Sequence, residues 1–183
     1  MKIYLDCYPC FLRQALEAAR MAGADEPGQR HLLEQVMNGL SEIPLEMTPP
    51  EIAAKIHRLV RHELSHKDPY REAKQNSTQQ AMALYPRLKA LVAQADDPLA
   101  CATRLAIAGN IIDLGLKLTY DLWETVERVL KQTFAIDDRA AFRASLKQAP
   151  WMLYLADNAG ETVFDRVLIE TLDLPVRYAV KGA

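Results

Sequence analysis

Five consecutive residues, Asp157-Asn158-Ala159-Gly160-Glu161, carry the most concentrated chemistry in this chain of 183 residues. They follow a short apolar run that ends at Ala156 and precede a helical stripe, so they stand where a strand hands over to a helix. Open parallel sheets bind their ligands at the carboxyl ends of their strands. Asp157 and Asn158 offer hard side-chain oxygens, which suit magnesium, manganese or similar cations. Gly160 lets backbone come close to a ligand. The free N–H groups that open a helix favour an anion, phosphate above all. A metal ion and a phosphate could therefore meet at one turn. The competing account is a plain strand-to-helix turn capped by Asp or Asn, since those residues dominate such turns.

Other constellations are weaker. Ala108-Gly109-Asn110-Ile111-Ile112-Asp113 puts Asn110 and Asp113 three apart on one helix face. On so apolar a segment they either bond neighbouring backbone or line a polar site. Lys181 follows a second strand and could reach a phosphate as a point charge, or simply be solvated. His62-Glu63-Leu64-Ser65-His66 matches the HExxH pattern in which two histidines bind zinc and the glutamate activates water. No further histidine follows it, and Asp68-Pro69 ends the helix just beyond, so a solvated helix end is the better account. Cys7-Tyr8-Pro9-Cys10 can chelate zinc or cycle as a dithiol, although a full zinc site needs two more ligands. Reduced cysteines at a helix start fit it equally well. Trp123, Tyr120 and Trp151 read as core or packing residues rather than a base-stacking platform, because no basic stripe interleaves them.

Most of the elements that must position these groups are helical. Leu12, Leu16 and Ala19 form a stripe over 10–22, with Gly23 where a C-cap belongs. After Pro27, Leu32, Leu33, Val36 and Leu40 repeat the spacing. Thr48-Pro49-Pro50-Glu51 is a helix start, followed by Ile52, Ile56, Leu59 and Val60. Asp68-Pro69 begins a helix that runs to about Ala95, with a kink expected at Pro86. Asp97-Pro98 opens the next, and further helices are predicted around 121–133 and 137–147. After Pro150, Trp151–Ala156 has the length and flanks of a buried strand. Val163, Phe164, Val167, Leu168 and Leu172 mark a helix, and Val176–Val180 a second strand. Strand–helix–strand implies a parallel pair. Two parallel strands and one helix cannot cover both faces of a sheet, so the missing strands are expected from further chain or from a partner.

The fold class expected is mainly α. A helical domain over 1–149 is followed by 150–183, the first strand–helix–strand unit of an incomplete α/β domain. A net charge of −2, without blocks of like charge, speaks against a nucleic-acid-coating protein. No apolar stretch is long enough to span a bilayer. Asp6 interrupts any leader-like run, and three cysteines make no disulfide framework, so the expected compartment is the cytoplasm.

Taken in order, Asp6-Cys7-Tyr8-Pro9-Cys10, Arg13-Gln14, Lys67-Asp68-Pro69-Tyr70, Gly109-Asn110-Ile111-Ile112-Asp113, Asp157-Asn158-Ala159-Gly160-Glu161 and Val180-Lys181-Gly182 resemble the damage-control phosphatase family. Within it they are similar to the prokaryotic branch with an N-terminal CxxC. The resemblance spans nearly the whole chain. It implies a Rossmann-like metal-binding domain and a phosphatase that acts on small phosphorylated metabolites such as sugar phosphates. It also implies a divalent metal ion (Mn, Mg, Ni or Co) held by Asp157 and Asn158. Asp113 and Glu161 would be the catalytic residues, and Asn110, Gly160 and Lys181 would bind substrate. The family's third metal ligand is an aspartate past position 183, so the chain alone is expected to hold metal weakly. The rivals are a non-enzymatic helical binding module and a zinc hydrolase that uses His62 and His66.

Overall fold

The computed structural model describes residues 3–44, 46–63, 68–111 and 122–181. Among these, the elements are α1 (Cys7–Met21), α2 (Glu26–Ser41), α3 (Pro49–Glu63), α4 (Arg71–Gln94), α5 (Pro98–Ile111), α6 (Leu122–Lys131), α7 (Arg139–Gln148), β1 (Met152–Leu155), α8 (Glu161–Ile169) and β2 (Val176–Ala179). The chain is mainly α, as expected. It divides into two compact units, Met1–Glu72 and Ala73–Ala183, so position 150 falls inside the second.

In the first unit α1, α2 and α3 bury one core. Phe11, Ala15, Ala18 and Ala19 meet Leu32, Val36 and Leu40, and Ile52, Ile56 and Val60. The helix ends are set locally. Gly23 takes a φ of +74°, which glycine reaches without cost. The Ala24 N–H then bonds Ala19 O and the Gly23 N–H bonds Arg20 O, each at 3.0 Å, satisfying carbonyls that α1 would otherwise leave bare. At the start of α3, the Thr48 N–H and hydroxyl both donate to Glu51 Oε2, at 2.8 and 2.7 Å.

The second unit carries the site. α4 continues through Pro86 as one helix. Asp97 Oδ1 accepts the Ala100 N–H at 3.0 Å and caps α5. Ala81, Leu88 and Val92 pack with Ala102, Leu105 and Val126, and with Val163, Phe164, Val167 and Leu168 of α8. β1 and β2 pair in parallel, Met152 with Val176 through Leu155 with Ala179. Ile112, Asp113 and Tyr120 lie outside the described residues.

The strand expected to be buried at 151–156 is covered on one face only. Its burial alternates, with Leu153 54% and Leu155 73% exposed. α8 covers the face that carries Tyr154, whereas no described element covers the other. Trp151 is likewise no core residue, being 43% exposed with the Arg177 guanidinium 4.5 Å above its ring.

Candidate active site

Sheet pairing persists to the last residue before the turn, where the Ala156 N–H bonds Ala179 O at 2.9 Å. The chain then leaves the sheet at Asp157. The first helical bonds form at Thr162 N–H to Asn158 O and Val163 N–H to Gly160 O, both 3.3 Å. The Thr162 hydroxyl closes onto Ala159 O at 2.6 Å.

Two glycines let neighbouring helices press on this turn. A Cβ at Gly109 would lie 2.8 Å from Phe164 Cβ, so only glycine lets α5 lie this close to α8. The next residue, Asn110, thereby reaches the start of α8. A Cβ at Gly160 would lie 2.0 Å from Ser77 Oγ, so α4 touches the turn directly. Gly160 has ordinary helical angles, φ −70° and ψ −31°, so close approach, not backbone conformation, is what glycine provides there.

Glu161 is the hub. It is buried, 9% exposed, in the first turn of α8, where a negative charge meets the positive end of the helix. Asn110 Nδ2 donates to its two oxygens at 3.3 and 3.4 Å. Asn158 donates to Oε2 from Nδ2 at 3.2 Å and from its backbone N–H at 3.4 Å. The Asn158 amide nitrogen is thus committed to Glu161, and its oxygen is the end left to meet a cation. Asp157 takes the Lys181 ammonium in an ion pair. Both partners are exposed, so water screens the pair and a competing cation can displace the lysine.

The donor chemistry fits a hard divalent ion. Two oxygens stand on adjacent residues at one strand end, and a lysine ammonium already occupies the place of a positive charge beside Asp157. Among the described residues, no group of three His, Cys, Asp or Glu side chains could hold a metal. The described part of the site therefore supplies two such oxygens. Asp157, Asn158, Gly160, Glu161, Asn110 and Lys181 come together, and Asp113 lies outside the described residues.

Two features escaped the sequence reading. Asp165, one turn after Glu161 on α8, is buried and accepts the hydroxyls of Tyr154 at 2.6 Å and Tyr178 at 2.9 Å. The two rings stack with centroids 5.5 Å apart. This clamp ties α8 to both strands. Burial pushes the Asp165 carboxyl up while the two phenols pull it down, and burial raises both phenols too. A carboxylate interrupting the stripe Val163, Phe164, Val167 and Leu168 was the available signal. The second is Ser77, which no local pattern marks. Past the end of α8, Glu170 is held by the Tyr85 hydroxyl at 2.6 Å, Lys89 at 2.9 Å and Arg166 at 2.7 Å, so α4 grips both ends of α8.

The remaining motifs belong to the first unit. Cys7 and Cys10 are free and half-buried in α1; the Tyr4 N–H approaches Cys7 Sγ at 3.5 Å and Gln14 Nε2 approaches Cys10 Sγ at 3.6 Å. Glu63 is shared between His62 Nδ1 at 3.2 Å and His31 Nε2 at 3.4 Å. His66 lies outside the described residues. No helix among the described residues is long and apolar enough to cross a membrane.

Several known proteins resemble this chain. A crystal structure of a DUF89 family protein (PH1575) from Pyrococcus horikoshii superposes with a TM-score of 0.86 at 28% identity, covering 100% of this chain and 64% of that one. The damage-control phosphatase PH1575 of the same organism is 32% identical over 94% of this chain and 60% of its own length. An uncharacterized protein (MJ0202) from Methanocaldococcus jannaschii is 29% identical over 100% of this chain and 63% of its own. A damage-control phosphatase from Archaeoglobus fulgidus is 28% identical over 94% and 61%. The chain thus spans less than two thirds of the length of these relatives. The model of the damage-control phosphatase ARMT1-like domain matches residues 3–183, and the chain belongs to that family.

Proposed function

We propose that this chain forms part of a divalent-metal-dependent phosphatase that hydrolyses phosphate monoesters of small metabolites, sugar phosphates among them. The carrying observation is the pair Asp157 and Asn158 at the end of β1, with Asn158 held by Glu161 so that its oxygen is free for a cation. Relatives named damage-control phosphatases support the same reading.

Asp157 and Asn158 would hold the metal ion, with a further ligand from a longer protein. When bound, the ion neutralises phosphate charge and polarises the phosphoryl group. Lys181, displaced from Asp157, offers its ammonium to the phosphate as a point charge. The start of α8 at Gly160 presents backbone N–H groups and the helix dipole to the same anion. Glu161 orients Asn158 and Asn110 through the bonds above, and Asn110 borders the substrate. Asp113, three residues past Asn110, is the proposed acid–base group. Residues 150–183 would open a Rossmann-like domain after a helical region over 1–149, and its further strands or helices would cover Leu153 and Leu155. The proposed compartment is the cytoplasm.

The test is phosphate release from sugar phosphates by the full-length protein, with and without manganese or magnesium. Release should require the metal and fall by orders of magnitude in Asp157→Ala. Wild-type rates in that variant would end the proposal.

A further inference from the structure

We propose that the Ser77 hydroxyl contacts the substrate phosphoryl group, completing an anion cradle with the backbone N–H groups of Ala159, Gly160 and Glu161. This rests on the reading above that a phosphate binds at the start of α8, and it adds a residue from a helix more than eighty positions earlier in the chain.

Ser77 is 3% exposed, yet its hydroxyl has no hydrogen-bond partner among the described residues. Its neighbour behaves differently: the Thr78 hydroxyl donates back to Lys74 O at 2.9 Å, a usual choice for a hydroxyl on a helix. Among the described residues, every side-chain polar atom wholly shut off from water has a partner. The Ser77 oxygen must therefore keep an opening, although the rest of the residue is buried. The oxygen stands against the turn, only 2.0 Å from where a Gly160 Cβ would be.

The turn itself is short of acceptors. The N–H groups of Ala159, Gly160 and Glu161 find none among the described residues; bonding resumes at Thr162 and Val163. Orphan donors at a helix start are ordinarily met by a capping side chain. Glycine at the N-cap has no side chain to do so. A rotatable hydroxyl therefore stands against the same turn as consecutive backbone donors at the positive end of a helix, and an anionic oxygen suits both. Were Ser77 only a spacer, alanine would fill the same volume, suit a helix better and leave no unbonded hydroxyl.

Inorganic phosphate is the probe, titrated calorimetrically into the full-length protein loaded with manganese. Ser77→Ala should weaken phosphate binding about ten-fold, the value of one hydrogen bond to a charged group. Thr78→Ala, the control on the same helix, should leave binding unchanged. Ser77→Cys keeps the side-chain shape, with a larger atom that is only a weak donor, so it should behave like alanine, and urea midpoints should show that both variants stay folded. Phosphate bound equally by wild type and Ser77→Ala would overturn the inference, as would a wild type that binds none. The hydrolytic reading fails separately: no metal-dependent phosphate release from sugar phosphates, with the Ser77 effect on phosphate binding intact, would remove the enzyme and leave the cradle.

Discussion

Gly160→Ala measures how tightly α4 is pressed against the turn. Because Gly160 has ordinary helical angles, alanine meets no backbone strain and gains about 0.4–1 kcal/mol by stiffening the unfolded chain. The cost is steric. The new methyl would lie 2.0 Å from Ser77 Oγ, 3.3 Å from Ser77 Cβ and 3.4 Å from Ser77 O. Rotating the serine relieves only the first contact, and helices disfavour one of its rotamers. Otherwise α4 and the turn must part, at about 1–3 kcal/mol for an overpacked core. The expected net loss is about 1–2 kcal/mol. Both tryptophans, Trp123 and Trp151, lie in the second unit, so fluorescence during urea unfolding reports on that unit alone. Repeating the substitution in Ser77→Ala removes the worst contact, and the penalty should shrink by about 1 kcal/mol as a coupling between the two positions. In the full-length protein a turn displaced by an ångström would also lower phosphate release by roughly 100-fold. A Gly160→Ala protein as stable as wild type, or an equal penalty on both backgrounds, would refute the close packing.

Two further perturbations probe α8. Burial raises the Asp165 carboxyl above its ordinary value of 3.8, so the folded protein holds that proton more tightly than the unfolded chain does. Its stabilising contribution is complete below 3.8 and is lost as pH rises through the raised folded value. Asp165→Asn lacks this titration, so its deficit against wild type in urea midpoints should shrink between acid and neutral pH; a deficit that widens would contradict the burial. Glu161→Gln puts an amide where Asn110 and Asn158 donate. It should cost about 1–3 kcal/mol from donors left unmatched and, in the full-length protein, lower kcat for phosphate release more than it alters KM. An unchanged kcat would free Asn158 from its dependence on Glu161.

Much of the local structure was legible because its causes lie within a few residues. Gly23, Thr48 with Glu51, and Asp97 each mark a helix end through bonds to near neighbours, and each sits where its type predicts. The strand–helix–strand order was legible for the same reason, and the turn at 157–161 announced itself by composition. What composition could not report was which side of the sheet would be covered. An apolar run such as Trp151–Ala156 reads as a buried strand, yet Leu153 and Leu155 face outward because the described helices lie on the Tyr154 side. The helix expected to run from Asp68-Pro69 through Pro86 to about Ala95 is found as the single α4.

The partners of the turn were illegible for a different reason. Asn110 and Ser77 reach it only because glycine at 109 and 160 lets helices close to within a methyl's width, and Asp165 finds its partners on the two strands. That proximity is a property of packing between distant segments, and no spacing rule along one segment encodes it. A glycine in the middle of a helical pattern, such as Gly109, reads locally as a mild defect of about 1 kcal/mol. Across the interface it is what brings the Asn110 carboxamide within 3.3 Å of Glu161. The turn provides two side-chain oxygens, on Asp157 and Asn158, and the helix start, and the glycine contacts decide which side chains stand around them. Variants at Gly109 and Gly160 are therefore expected to disturb the site without removing a single polar group.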